Sequence, residues 1–216
     1  MPVRRRVLRV FAGLGAVAAF FVIGNLVIMS AVLWARSTDD RGPTSLPGVQ
    51  NFRVVDAKLM RGAAPTEQGY RALARNGVKT VVDLRAEPGI NDHEALLDQL
   101  GIERIAIPMR DGQTPTTGQV ASFMDVMDDA VGKVFVHCGA GVGRTGTIVA
   151  SYLVGTGSAS PSEALRFNLS VGPPSLEQIS FVSSLEGSIV SRPHPIVTML
   201  SRILDGPRRI SKSFGF

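Results

Sequence analysis

KVFVHCGAGVGRTG, from Lys133 to Gly146, decides the reading of this 216-residue chain. Val134–Val136 is a short apolar run of buried-strand character. It delivers His137 and Cys138 into a turn carrying Gly139, Gly141 and Gly143. Arg144, Thr145 and Gly146 follow, and the apolar run from Thr147 to Val154 reads as a helix. A strand, a glycine-rich turn and a helix N-terminus together form an anion cradle. Backbone N–H groups point inward and the helix dipole adds positive potential. A cysteine at the base of such a cradle is expected as the thiolate, its nucleophilic form. Arg144, six residues on, is placed to fork onto two oxygens of a bound phosphate. Thiolate, loop and guanidinium are the equipment for attack on phosphorus.

The same residues carry two plainer readings. Gly141-Val-Gly143-Arg-Thr-Gly146 also spells the dinucleotide-binding G-x-G-x-x-G, but the acidic residue expected about twenty positions on falls near Glu163, in a helix start rather than at a strand end. Cys138 as a small buried hydrophobe leaves Arg144 and the adjacent glycines unexplained. The full pattern is His-Cys-x2-Gly-x2-Arg-Thr-Gly after an apolar strand and before a helix. It resembles the active-site signature of the protein tyrosine phosphatase superfamily, in its smaller dual-specificity branch.

The resemblance implies an activity and a set of roles. Cys138 attacks a phosphoester phosphorus and forms a phosphocysteine, while Gly139, Ala140, Gly141, Val142, Gly143 and Arg144 hold the phosphate. The family's general acid is an aspartate on a loop before the signature, commonly followed by a proline. Asp111, with Pro115 four residues later, matches it, although Asp111-Gly112 is equally the chemistry of a tight turn. His137 is expected to orient the cysteine and support its thiolate, or to be a structural histidine. Thr145 is expected to donate its hydroxyl to the sulfur, or to cap the helix. Gln178, three residues before Phe181, matches a late Gln-x-x-Phe feature of the family. Residues 61–85, from Arg61-Gly-Ala-Ala-Pro65 to the Leu84-Arg85 pair, resemble the opening of bacterial dual-specificity phosphatase-like domains. Arg85 either faces the site or pairs with Glu87 or Asp83. The chemistry needs no cofactor. His93 and His194 stand apart from any Cys/His/Asp cluster, so no metal site is expected. None of the five residues between Cys138 and Arg144 is basic, whereas superfamily members acting on highly phosphorylated inositol lipids usually carry lysines there.

Composition bounds the partners. The net charge of +5 is concentrated: Arg4, Arg5, Arg6 and Arg9 precede the first acid, Asp39, and the rest carries 19 basic against 18 acidic residues. Nucleic-acid binding is therefore poorly supported. After this basic start (1–9), Val10 to Ala35 holds 26 uncharged residues, roughly 39 Å of helix against a hydrocarbon core of about 30 Å. Residues 10–35 are thus expected to be a single transmembrane helix with Trp34 at its far interface. A signal peptide is the rival, but its apolar region normally runs about 7–15 residues and no clean cleavage site follows. Arginine bias places the N-terminus in the cytoplasm and the remainder outside. Residues 36–51 read as a linker, 52–190 as the phosphatase domain, and 191–216 as a basic amphipathic tail that lies on a membrane or packs on the domain.

Within the domain, short strands at Phe52–Val55 and Lys58–Met60 precede a helix capped by Thr66 and stopped at Asn76-Gly77. A strand over Val78–Leu84, a helix over Asn91–Leu100 and a strand over Ile102–Pro108 follow. Thr116–Ala130 is an amphipathic helix whose Val120, Phe123, Met124 and Met127 read as core. Helices starting at Ser160-Pro161 and Ser175 close the domain. The alternation argues for an α/β fold with a mostly parallel central sheet flanked by helices. Three functions compete: a membrane-anchored phosphatase with a phosphorylated substrate, an inactive module that binds phosphorylated ligands, and a thiol redox protein that lacks a second cysteine.

Overall fold

A computed structural model describes the backbone of residues 2–39, 45–87, 93–186 and 193–213, and the side chains of these except 2–14, 16–18 and 205–213. The elements run α1 (Pro2–Ser37), β1 (Arg53–Val54), β2 (Leu59–Ala63), α2 (Glu67–Arg75), β3 (Val78–Arg85), α3 (Glu94–Leu100), β4 (Glu103–Met109), α4 (Thr117–Asp129), β5 (Lys133–Cys138), α5 (Gly143–Gly155), α6 (Pro161–Val171), α7 (Leu176–Ser183) and α8 (Pro195–Ser213). The strands form one sheet in the order β1-β2-β5-β3-β4. The β1–β2 pair is antiparallel; the β2–β5, β5–β3 and β3–β4 pairs are parallel, with β5 at the centre. The mostly parallel α/β sheet expected from the sequence is the one observed.

The period of two along β5 splits the core. Val134, Val136 and Cys138 face a cluster with Phe123, Met127, Ile148, Leu153 and Phe167 from α4, α5 and α6. Phe135 faces the other way, among Tyr70, Leu73 and Leu97 from α2 and α3. A sheet buried on both faces must read as an unbroken apolar run, as Val134–Val136 does.

Local chemistry sets most of the boundaries. Thr66 caps α2, and capping boxes at Thr116, Ser160 and Ser175 start α4, α6 and α7. The expected strand ending at Met60 instead continues to Ala63, because Arg61 and Gly62 extend the ladder to β5 and Arg61 is buried. The expected helix start at Asn91 and domain end at 190 lie outside the described residues.

Residues 36–39 and 45–51, within the expected linker, make contacts with the domain. α1 runs unbroken to Ser37, and Val32 and Ala35 pack on Leu169 of α6. The Arg36 guanidinium donates to the carbonyls of Ser170 (3.1 Å) and Val171 (3.3 Å) at the end of α6, and Arg166 donates to the Thr38 carbonyl. Further on, Val49 is in the core, and Gly48 lies against Gly69. Pro47 and Gly48, read as linker composition, here form a turn held against Gly69 of α2. Ala19–Ser37 is the one helix among the described residues long and apolar enough to cross a membrane.

Candidate active site

Cys138 ends β5 and α5 begins at Gly143, so the intervening turn sits at the carboxyl end of the central strand. This is where parallel sheets place ligands. The cysteine is nearly fully buried, and Gly141 donates its backbone N–H to Sγ at 3.3 Å. Gly141 has φ +72°, and a Cβ there would lie 2.2 Å from the Gly62 carbonyl carbon, so the position excludes every side chain. The turn is pinned at several points. Asn51 donates to the Ala140 carbonyl (2.9 Å) and the Ala64 N–H to the Gly139 carbonyl (3.0 Å).

Beneath the turn lies a residue whose role sequence reasoning missed. Arg61, from β2, is wholly buried and donates through Nη2 to the carbonyls of Gly141 (2.7 Å) and Val142 (3.3 Å) and to Asn168 Oδ1 (3.2 Å). Burial lowers its pKa to about 10, with the Cys138 charge pulling the other way, so it stays charged at neutral pH. The one available signal was its place in a motif ending at Pro65.

Arg144 lies over the turn. Its Nη1 donates to Glu87 Oε2 (2.9 Å) and the Met109 carbonyl (3.0 Å), and its Nη2 pairs with Glu87 Oε1 (2.9 Å). Burial opposes its charge, but Glu87, Cys138 and Asp111 together raise its pKa above the ordinary value. Glu87 is the second missed residue: sequence reasoning offered it to Arg85. Desolvation pulls the Glu87 pKa up, yet the hydrogen bond from Arg144 leaves it lowered. Asp111 Oδ1 stands 3.5 Å from Arg144 Nη2 on a half-exposed loop. Structure thus brings Cys138, Arg144 and Asp111 to one cleft.

The supporting residues divide between the readings the sequence left open. Arg85 does not turn into the cleft. Its Nε and Nη2 donate to Asp83 at 2.9 and 2.7 Å, and Arg104 donates to the same carboxylate. Asp83 is desolvated, which alone would raise its pKa, but these bonds and His137 hold it well below the carboxylate range. His137 addresses the backbone, not the sulfur: Nδ1 lies 3.1 Å from the Cys138 carbonyl and 3.9 Å from Asp83. Burial lowers its pKa to about 4 against the pull of Asp83, so it is neutral at physiological pH. Thr145 makes neither expected bond. Its hydroxyl is buried without a partner, and the cap position falls to Val142, leaving Thr145 inside the first turn. Gln178 reaches the site from α7. Its Nε2 donates to the Gln113 carbonyl (3.1 Å) on the Asp111 loop, and its side chain occupies the space where a Cβ on Gly143 would fall.

This geometry has counterparts. The profile described as "DSP-PTPase phosphatase fused to NAD+ Kinase" matches residues 47–184. The human dual specificity protein phosphatase CDC14C is 50% identical over 44 residues, 20% of this chain and 10% of that protein. The tyrosine-protein phosphatase cdc-14 of Caenorhabditis elegans is 35% identical over 79 residues, 37% of this chain and 11% of that protein. The chain therefore spans about a tenth of the length of these relatives. Among solved structures, P. aeruginosa TpbA in complex with pTyr superposes with TM-score 0.56 at 22% identity, covering 77% of this chain and 98% of that one. PTPMT1 in complex with PI(5)P gives TM-score 0.53 at 22% identity, covering 61% and 92%. The matched stretch takes in the whole sheet, the cysteine turn and α7, and on that extent the chain belongs to the dual-specificity phosphatase family of the protein tyrosine phosphatases.

Proposed function

We propose that this chain is a membrane-anchored, cysteine-dependent phosphatase acting on phosphomonoesters. The observation that carries the reading is the convergence of the Gly141 N–H on Cys138 Sγ with Arg144 and Asp111 at one strand end. The phosphate enters the turn with its oxygens toward the backbone N–H groups. Arg144 Nε, buried and unpartnered, is an available donor, while Glu87 and the Met109 carbonyl fix the rest of the guanidinium. The Cys138 thiolate attacks phosphorus, the bond to the leaving oxygen breaks, and Asp111 gives that oxygen its proton. A phosphocysteine results. The Asp111 carboxylate then takes a proton from water, the water oxygen attacks phosphorus, and the sulfur leaves as thiolate with inorganic phosphate released. Arg61 and Asn168 hold the turn from below, and Gln178 ties α7 to the acid loop.

The pTyr and PI(5)P held by the two structural neighbours are both phosphomonoesters, which supports that class for this chain. The apolar run of α1 supports a single-pass anchor, and the arginine bias supports a cytoplasmic N-terminus with the catalytic domain outside. Turnover of p-nitrophenyl phosphate by the full chain tests the chemistry. Wild type hydrolyses it, and Cys138→Ser abolishes turnover while retaining phosphate binding. Hydrolysis surviving in the serine variant sinks the nucleophile assignment. A protease-accessible tag after Phe216 in intact cells tests the orientation, and full protection overturns it.

A further inference from the structure

α8 lies outside the family match, which ends at 184. One side of it is settled: Ser201 is buried, its hydroxyl accepts the Glu177 N–H, and Val197 and Leu200 are half-buried. The other side carries Ile196, Met199 and Ile203, 57%, 55% and 49% exposed, at helical spacing. Met199 and Ile203 also line a groove of about 750 Å³ whose opposite wall, Gln113 to Thr117, continues the Asp111 loop. An unpartnered apolar stripe beside a catalytic loop calls for an occupant.

A contact between helices names it. Leu204 of α8 packs on Gly24 of α1, where a Cβ would meet the leucine methyl at 3.7 Å. Gly24 lies eight residues, about 12 Å of helix, before the Val32 contact with α6. A bilayer core takes about 20 apolar residues. Arg9 bars an earlier start, so a span counted from Val10 ends near Met29, past Gly24. If α1 crosses a membrane, Leu204 stands at lipid depth. The exposed residues of α1 at this level, Ile23, Leu26 and Val27, are apolar and uncovered as well. The α8 sequence from Arg202 to Lys212 has four basic residues against Asp205, the composition of a helix that rests on anionic lipid.

We propose that α8 is an interfacial helix: its Ile196–Met199–Ile203 stripe seats in the bilayer that α1 crosses, and the catalytic cleft opens at the lipid surface. This rests on the anchor reading above and commits the stripe to lipid. The same end of the domain carries the cysteine turn, because Gly172, just past the α6 carbonyls that Arg36 engages, lies against Val142. Phosphomonoesters presented at the membrane surface are therefore the substrates within reach.

Depth-dependent quenching tests it. The full chain carrying Cys138→Ser and one new cysteine, labelled with bimane, is placed in phosphatidylcholine–phosphatidylglycerol vesicles with or without brominated acyl chains. Labels at Leu26→Cys, Met199→Cys and Ile203→Cys are expected to lose emission by about twofold with brominated lipid. A label at Val131→Cys, fully exposed at the far end of β5, is expected to lose none. Quenching at 26 with none at 199 and 203 overturns the proposal and leaves the anchor standing. No quenching at 26 overturns both. Shielding at 199 and 203 that follows protein concentration instead of lipid assigns the stripe to a second copy and overturns the proposal.

Discussion

Arg61 is a buried cation whose hydrogen bonds among the described residues go to carbonyls and an amide oxygen and to no carboxylate. Replacing it with methionine, of similar length, separates fold from turn geometry. A hydrogen bond from a charged donor contributes about 1.5–3 kcal/mol, and the strongest here holds the Gly141 carbonyl at 2.7 Å. Gly141 also offers its N–H to the cysteine sulfur, so freeing its carbonyl loosens the turn where the sulfur is held. Loss of that amount in the transition state lowers kcat/KM by about tenfold to a hundredfold. Stability falls as well: the methionine removes a desolvated guanidinium, which offsets part of the loss, but takes the donor from the Gly141 carbonyl and Asn168 Oδ1, so the net change is about 1–3 kcal/mol. Steady-state hydrolysis of p-nitrophenyl phosphate together with thermal unfolding measures both. Arg61→Lys is the control: it keeps the charge near Cys138 but loses the fork. Arg61→Met with kcat/KM within about twofold of wild type refutes the bracing argument. Full recovery in the lysine variant shows that charge, not geometry, is what the turn needs.

Three further outcomes follow from the site. Asp111→Asn removes the proton donor and slows kcat by about 10²–10⁴, with the largest loss on substrates whose leaving group is most basic; an equal loss on all of them refutes the acid assignment. Gly141→Ala meets both a forbidden φ and the Gly62 backbone, so activity falls by at least about a hundredfold with loss of fold stability; near-normal turnover contradicts the packing described. His137 is neutral in the folded chain with a pKa of about 4, below its unfolded value of about 6.5. The unfolded chain then binds more protons between these values. Stability is complete above about pH 6.5 and falls by about 3 kcal/mol as pH drops to about 4, with Asp83 adding to the loss below its own unfolded pKa. Urea unfolding in detergent across this range checks it; a flat profile, or one unchanged in His137→Leu, rules out His137 as the cause.

The inner strands β3 and β5 were legible because they are buried on both faces and read as apolar runs, and α2, α4, α6 and α7 because Thr66, Thr116, Ser160 and Ser175 cap them by local chemistry. The cysteine turn was legible for the same reason: its spacing is local. What sequence did not give is pairing across the fold. Arg144 reaches back 57 residues to Glu87, and Arg61 forward 80 to Gly141. Nothing in either segment signals its partner. The expected strand stopped at Met60 and Arg61 opened the motif ending at Pro65; a charge ordinarily marks solvent, yet here carbonyls surround it. Thr145 is the converse case: its hydroxyl is legible in the motif, yet in the folded chain it lies inside the first turn of α5, buried without a partner, and the spacing alone gave no sign of that.

Cys138 is the sole thiol in the chain. An oxidant that turns it to the sulfenic acid meets no neighbouring cysteine to trap that state as an internal disulfide. Reversal then falls to a thiol from solution, which must reach a nearly fully buried sulfur, or to a backbone nitrogen that closes a sulfenamide. Occupancy of the turn by an anion shields the sulfur, and an empty turn leaves it open to the irreversible higher acids.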